Sequence, residues 1–574
     1  MSRHLVTSAL PYANGPIHFG HAIGAYLPAD VYARYLRQKG EEVLFVCGTD
    51  EHGVAITIGA EAKGQDYSEY VAHWRDTIKR TFDSLGIEFD HWSGTSALSN
   101  HAEFTQGFFR QLVENGYFFR KESEQLYSES AGKFLADRYV IGTCPNCQYE
   151  EARGDECPRC GSWLDALKLG DPRSKVDGSP LVKRTAAHWY LDLPKLREEH
   201  LDTWIREHEW KPNVKAFLEG LLAEVPARAM TRDMSWGVPV PADVDPDAEG
   251  KVLYVWFDAP IGYVSLTAEW AERAGNPEAW RDWWCSEDTR LVHFIGKDNI
   301  PFHCLIFPGM LWGQKQGYTL PAAVPAMEFY NLQGKKFSTS GGWSIDLEAF
   351  FERYDAEAAR FYLLFSAPET ADSEWTWEGF QSCVNAQLAD KIGNLITRVL
   401  RFAGKHWDGQ LPPCAPELEA EFDQLLFSGL EGERWPQVGA EIERYRFRRA
   451  AQALLELAAV GNVFIDRSEP WKLRKSDPER AAGALRTAAE WIGLLARWMA
   501  PLMPGKAQAI WEMLGQPGKV AERGWPGDPE AGAWRHLEQA PLGEVAGLFG
   551  KLEDEDVAAE VEDLERRARQ ALQA

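Results

Sequence analysis

The chain has 574 residues, 45% hydrophobic and 12% aromatic, with 24 tryptophans and a net charge of −25. That length implies three or four domains, and that apolar share supports large cores and excludes a disordered chain. Such acidity excludes a generally basic nucleic-acid binder, although a local basic face can still hold RNA. No apolar run is long enough to span a bilayer and no secretory signal opens the sequence, so a cytoplasmic protein with no membrane partner is expected. Nine cysteines, four of them in metal-like spacing, fit a reducing compartment better than a disulfide framework.

Residues 5–9 read as a short buried strand. Asn14-Gly15-Pro16 reads as a turn, with Gly free to take a positive φ and Pro fixing the exit. His18 and His21 then stand three apart on the first turn of a helix, and Gly20 between them leaves a ligand room to approach the backbone. A helix N-terminus attracts anions, and two imidazoles there can stabilise charge developing on a phosphate. Spacing alone also admits an incidental pair of surface histidines. The helix runs to about residue 39, where Gly40 stops it, and Pro28 should kink or split it. Residues 42–47 are a buried parallel strand ending in Gly48-Thr49-Asp50-Glu51-His52-Gly53. Ligands in strand–helix–strand units sit at the carboxyl ends of strands, so Asp50 faces the same crevice, either to hold an ammonium group or as a turn-capping residue. Residues 66–118 read as helices with Tyr70, Trp74, Ile78, Phe82 and Leu85 in the core.

Pro16-Ile17-His18-Phe19-Gly20-His21 resembles the HIGH signature of class I aminoacyl-tRNA synthetases. The preceding Ala9-Leu10-Pro11-Tyr12-Ala13-Asn14-Gly15 resembles the methionyl-tRNA synthetase family in particular. The resemblance implies that His18 and His21 are catalytic, that Gly20 lies by ATP, and that Asp50 binds the amino group of methionine.

Cys144-x-x-Cys147 and Cys157-x-x-Cys160, with Gly161 closing the second turn, are two thiolate pairs that complete a tetrahedral site. Four protein ligands leave no open position, so one structural Zn²⁺ per chain is expected. In the family such a knuckle lies in an insertion that splits the nucleotide fold. The distance from His18 to Lys336 leaves little room for a large hydrolytic editing domain.

Residues 229–237 resemble the family's return to the nucleotide fold and carry Arg232, an active-site cation or an ordinary ion-pairing residue. Residues 252–257 read as an apolar strand running into Asp258-Ala259-Pro260-Ile261-Gly262-Tyr263. By composition Trp256 and Tyr263 are core residues. By resemblance Leu10, Tyr12, Trp256, Ala259, Pro260, Tyr263 and His303 wall a methionine pocket, where aromatic edges suit a thioether. A buried strand at 291–295 leads to Gly296 and Asp298, which the resemblance places by the adenosine. Gly334-Lys335-Lys336-Phe337-Ser338-Thr339-Ser340-Gly341-Gly342 suits a mobile clamp on a triphosphate. It resembles the family's second signature, Lys-Met-Ser-Lys-Ser, but Thr339 replaces the second lysine. Either Lys335 or Lys336 then carries the charge, with Thr339 hydrogen-bonding to phosphate.

Beyond residue 355 the periodicity is helical and suggests a bundle. Asn394 and Arg398 share a helix face, and Pro470-Trp471 follows a helix break. By resemblance these four read the CAU anticodon: an unpaired base can stack on Trp471 while Asn394 and Arg398 read base edges. Arg444, Arg446, Arg448 and Arg449, with Lys472, Arg474 and Lys475, offer local charge for phosphates. Residues 544–574 read as a helical or frayed charged tail.

The expected fold is a Rossmann-like parallel-sheet α/β domain, split by an insertion with a zinc knuckle and followed by an all-α anticodon-binding bundle. The expected divisions are 1–117 and 226–355 for the two catalytic halves, 118–225 for the insertion, 356–535 for the helical domain and 536–574 for the tail. The implied activity is ATP-dependent attachment of L-methionine to initiator and elongator tRNA(Met), with Mg²⁺ accompanying ATP and the chain acting as a monomer. A small cysteine-type synthetase and a non-catalytic tRNA-binding relative are the alternatives. The residues around Trp256 argue against the first, and only Thr339 supports the second.

Overall fold

A computed structural model describes residues 2–571 except 131–132, 136–138, 155–156, 158, 161–163, 176, 224, 340, 429–436 and 527–533. Gly161 and Ser340, named above, lie outside the described residues. Among the described residues no helix is long and apolar enough to cross a membrane.

The centre is a parallel sheet of β1 (Arg3–Ser8), β2 (Glu42–Thr49), β3 (His91–Gly94), β4 (Thr289–Gly296) and β5 (Pro321–Ala323), with β6 (Ala326–Met327) continuing beside β4. The strand order is β3-β2-β1-β4-β5. β1 pairs with β2 on one side (Leu5 with Leu44) and with β4 on the other (Thr7 with His293). The order therefore reverses between β1 and β4, and in doubly wound sheets ligands bind beyond the carboxyl ends of strands at that point. The segments leaving β1 and β4 there are 9–21 and 296–303, which carry Leu10, Tyr12, His18, Gly20 and His21 on the one and Gly296, Asp298 and His303 on the other.

The helix after β1 is split as Pro28 demands. One turn, Phe19–His21, passes through a π-helical segment, Ala22–Tyr26, into the helix Leu27–Gln38, with Pro28 in its first turn where its missing N–H costs nothing. Gly40 then takes φ +84°. Gly15 is absent from the left-handed conformation and its turn closes through Asn14 N–H to the Tyr12 carbonyl, so the expected positive φ is not used.

Two expected assignments are corrected. Residues 252–257 are not one strand. Lys251–Leu253 pairs with Thr231–Asp233, and the helix Val255–Arg273 starts at once, because an apolar run that packs on both sides carries no strand-specific period. Residues 66–118 are not all helical. The short strand β3 separates the helices Tyr67–Ser84 and His101–Glu114.

The insertion between β3 and β4 is built on a long antiparallel pair, Phe118–Ser128 with Leu181–Leu191, extended by Arg228–Ala229. A small sheet of Val140–Thr143, Ala152–Arg153 and Gly170–Ser174 surrounds the cysteines. Beyond the sheet domain, the helices Asn394–His406, Phe447–Ser468, Pro478–Met499 and Pro504–Met513 form a bundle around fully buried Trp491. A Cβ at Gly461 would stand 2.8 Å from both Leu395 and Trp491, so only glycine lets these helices cross so closely.

Sheet domain and bundle are joined by a buried ionic strut. Arg360 is fully buried, and its Nη2 lies 2.6 Å from Asp30 Oδ2, while Arg34 Nε binds the same carboxylate oxygen at 2.9 Å. Arg360 also donates to the carbonyls of Leu85 (2.8 Å) and Leu502 (3.1 Å). The tail forms a docked helix, Asp554–Ala571, with Tyr354 OH donating to Glu560 at 3.0 Å.

Candidate active site

His18 caps the first turn of its helix. Its Nδ1 accepts the Gly20 N–H at 3.1 Å, and the Nδ1 of His21 accepts the His18 N–H at 3.2 Å. Each acceptor nitrogen must carry a lone pair, so both protons sit on Nε2. Burial, and for His18 also the His21 charge, lowers their pKa values to about 2 and about 4. His21 is nonetheless open at the cleft surface. The result is two neutral imidazoles 3.8 Å apart, each with one N–H donor free of the helix cap. The space beside Gly20, expected from sequence to admit a ligand, is taken up by protein. A Cβ there would stand 2.9 Å from the His18 ring and 3.1 Å from the Tyr330 carbonyl.

The lysine-rich loop is held over this pair. It leaves the strand Tyr330–Leu332, which pairs with Ser373–Trp375, and turns at Gly334. Phe337 stacks on His18 with ring centres 4.2 Å apart. The Lys335 ammonium covers Trp343 at 4.2 Å, and that of Lys336 covers Phe329 at 5.0 Å. His18 and Thr339 line one cavity of about 380 Å³, together with Arg80 and Arg567, which the sequence reading did not single out. Arg567 comes from the docked tail helix, whose backbone would meet a Cβ at Gly342 at 2.6 Å.

The proposed pocket residues mostly converge. Tyr263 OH and His303 Nε2 lie 2.9 Å apart, and His303 Nδ1 contacts the Asn299 carbonyl at 3.1 Å. Burial lowers the His303 pKa to about 4, so it is neutral. Leu10 packs against Gly262, where a Cβ would meet it at 2.9 Å. Trp256 sets its ring edge against Phe302 at 4.7 Å. Ala259 and buried Pro260 lie between Trp256 and Tyr263 on the same helix, and Tyr12 is exposed at the rim. Tyr12 bridges to Asp50, which joins the end of β2 to the segment leaving β1. Gly296 ends β4 with open space beside it, and Asp298 follows in a short 3₁₀ turn. Arg232 is set apart: its guanidinium covers Tyr254 at 3.9 Å and donates to the carbonyls of Ala229 and Thr231. Tyr254 in turn stands 5.4 Å from Trp256.

Asp50 is buried beside a second acid, Asp258, which the sequence reading did not assign. Asp258 bonds His52 Nδ1 and His101 Nε2, each at 2.6 Å. Burial and then the Asp258 charge push Asp50 well above the usual carboxylate range, and His52 opposes this.

The four cysteines fit zinc. Thiolates at about 2.3 Å from a tetrahedral Zn²⁺ are about 3.8 Å apart. Cys144 Sγ and Cys160 Sγ lie 3.9 Å apart, and Cys147 Sγ and Cys157 Sγ 3.6 Å apart. All four sulfurs fall within 4.8 Å of one another, and the Gln148 residue after the first pair takes φ +58° to turn the chain.

In the bundle, Asn394 is exposed one turn before Arg398. The Arg398 guanidinium lies over Trp471 at 4.8 Å and pairs with Asp466 at 2.5 Å. Trp471 is 38% exposed and follows buried Pro470 in a short helix entered through left-handed Glu469.

A family profile described as "tRNA synthetases class I (M)" matches residues 4–400, and one described as "Anticodon binding domain of methionyl tRNA ligase" matches 418–567. The chain belongs to the class I methionyl-tRNA synthetase family. Similar members are the methionine–tRNA ligases of Protochlamydia amoebophila, 44% identical over 98% of this chain and 79% of that protein, and of Rubrobacter xylanophilus, 44% identical over 98% and 97%. Among solved structures, Mycobacterium tuberculosis methionyl-tRNA synthetase in complex with methionyl-adenylate superposes with a TM-score of 0.74 at 23% identity, covering 96% of this chain and all of that one. The class I match spans the sheet domain and the insertion with the cysteine cluster and runs into the first bundle helix, and the anticodon-domain match covers the rest of the bundle and most of the tail helix.

Proposed function

We propose that the chain activates L-methionine with ATP and transfers it to the 3′ end of tRNA(Met). The observation that carries this reading is the meeting, at the β1/β4 switch point, of the paired imidazoles, the lysine loop and the Tyr263–His303 pocket. In the first step the methionine carboxylate attacks the α-phosphate of ATP, expelling pyrophosphate. His18 and His21 donate from Nε2 to phosphate oxygens as charge grows on them, without the repulsive cost of placing cations side by side. Lys335 and Lys336 are carried by the loop stacked on His18, and swinging either ammonium off its aromatic partner would bring it to the triphosphate. Asp50 holds the substrate ammonium, while Leu10, Trp256, Tyr263 and His303 take the thioether side chain. No side-chain nucleophile is needed, because positioning and electrostatics suffice.

In the second step the adenylate passes its acyl group to the terminal ribose hydroxyl of tRNA, and Trp471, Arg398 and Asn394 read the anticodon. Initiator and elongator tRNAs sharing that anticodon would both be accepted. Mg²⁺ would neutralise the ATP phosphates, and the four cysteines would hold a structural Zn²⁺ that supports the insertion's fold without taking part in chemistry. We further propose a cytoplasmic monomer. Methionine-dependent ATP–pyrophosphate exchange tests the activity: no exchange, or exchange driven equally by other amino acids, would reject it.

A further inference from the structure

Beneath the site lies a buried cluster that the scheme above leaves unused. His52 is 7% exposed, His101 1% and Asp258 fully buried. Asp258 Oδ2 meets His52 Nδ1 and Oδ1 meets His101 Nε2, each at 2.6 Å, and His101 Nδ1 contacts Ser265 Oγ at 2.8 Å. Both carboxylate oxygens thus hold a ring nitrogen, and a third ring nitrogen is held by the Ser265 hydroxyl. Although the ligand atoms lie close enough for a metal, the set is already closed by hydrogen bonds. Its link to the substrate site is His52, whose backbone N–H donates to Asp50 Oδ1 at 3.3 Å.

Two carboxylates this deep in one place repel, and one would take a proton unless a cation stands between them. Of the other charges near Asp50, Glu51 is occupied by Arg75 at 2.7 Å and by the hydroxyls of Thr49 and Ser96. Tyr263 is an un-ionised phenol, its pKa raised by burial. His101 is held by Asp258 and Ser265. That leaves His52. Burial works against its proton, but the charges of Asp258, Asp50 and Glu51 outweigh it and raise its pKa.

We propose that His52 is a positioning residue for methionine: its imidazolium, pinned by Asp258, offsets part of the repulsion on the neighbouring Asp50 and so eases its ionisation when the substrate ammonium arrives. This rests on the role given to Asp50 above. Asp258 is then both the anchor of His52 and the charge that makes His52 necessary.

The test is the methionine KM in pyrophosphate exchange from pH 6 to 8, with saturating ATP. In the wild-type enzyme KM should rise moderately as the pH falls toward 6, because burial and the Asp258 charge hold Asp50 above the usual carboxylate range. His52→Gln should raise KM about tenfold at pH 6.5, with recovery toward pH 8 and a smaller effect on kcat, because one unit of upward shift in Asp50 is one decade in its ionised fraction. Adding Asp258→Asn to His52→Gln should restore much of the loss, since the repelling charge is gone. Structural damage would accumulate instead, so a double variant worse than His52→Gln, or a KM increase equal at every pH, overturns the proposal. Asp50→Asn separates the two ideas. If it leaves KM unchanged, the reading of Asp50 fails; if it raises KM while His52→Gln does not, only the present inference fails. Should His52→Gln not fold, histidine-selective ¹⁵N NMR of the wild-type protein decides. An imidazolium at pH 7 whose signal moves on methionine addition is expected, and a neutral ring overturns the proposal.

Discussion

Trp471→Ala offers the sharpest separation between the two ends of the molecule. Its ring is 38% exposed and carries the Arg398 guanidinium at 4.8 Å. Truncation therefore opens no sealed cavity, and the fold should lose less than about 1 kcal/mol, the range for exposed sites outside special features. Trp491 is the internal control: it is fully buried, and Trp491→Ala should cost about 3–5 kcal/mol. A base stacked on Trp471 is worth about 1–3 kcal/mol, or roughly five- to 150-fold in binding. The Arg398 guanidinium lies over the Trp471 ring in the free protein, so Arg398→Ala, which removes that support, should weaken the same step. The assay is a pair of measurements on each variant, tRNA aminoacylation and methionine-dependent pyrophosphate exchange. Trp471→Ala should lower kcat/KM for tRNA by that factor and leave exchange intact, and the loss should shrink for a tRNA with a changed anticodon. Equal loss in both assays, or a fall in Tm matching that of Trp491→Ala, would show that Trp471 serves the bundle and not the RNA.

Four further outcomes are expected. His21→Ala should slow adenylation about a hundredfold with little change in methionine KM, the cost of one preorganised donor. Because the folded pKa values of His18 and His21 lie below the unfolded value near 6.5, the folded protein binds fewer protons and stability is lost as pH falls from 6.5 toward 4; an adenylation rate that instead collapses with a pKa near 6.5, removed by His21→Asn, would refute neutral donors. Lys336→Ala should impair exchange more than Thr339→Ala, and the reverse order would mean that the charge is not supplied by the loop lysines. Metal analysis should find one zinc per chain, and Cys157→Ser should release it and lower Tm, since thiolate ligation contributes folding energy; zinc-free protein purified without chelator would reject the site.

Much of the nucleotide fold was legible because its central strands are dense apolar runs closed by glycine-rich turns, as at residues 42–53 and 291–298. β3 was not, since His91-Trp92-Ser93-Gly94 is short and carries little strand signal. The start of the helix Val255–Arg273 was misread because an element buried on all sides shows neither the period of a strand nor that of a helix. In the candidate site, the two histidines and the paired cysteines are local patterns and were visible. The Asp258–His52–His101 cluster was not: its members lie 206 and 157 residues apart and meet only when the insertion returns the chain to the sheet. Arg80 and Arg567 were hidden for the same reason, one on a helix read as core and the other on a tail with no local signature.

The strut centred on Arg360 bears on how the molecule can be divided. The two matched regions, 4–400 and 418–567, suggest a natural cut between them. Yet Arg360 belongs to the first region and bonds the Leu502 carbonyl of the second while gripping Asp30 beside the signature helix. A fragment ending near residue 400 would keep the charged pair but strip away the wall that seals it. It also loses the Leu502 and Pro501 carbonyls as acceptors for the guanidinium, bonds worth about 1.5–3 kcal/mol each to a charged donor, and it bares the apolar surface packed around them. Shortened versions of this enzyme, split reporters and half-gene exchanges with relatives should therefore fail unless the far side of Asp30 is rebuilt with them. Replacing Asp30 and Arg360 together by apolar residues is the repair that would let the two pieces be handled apart.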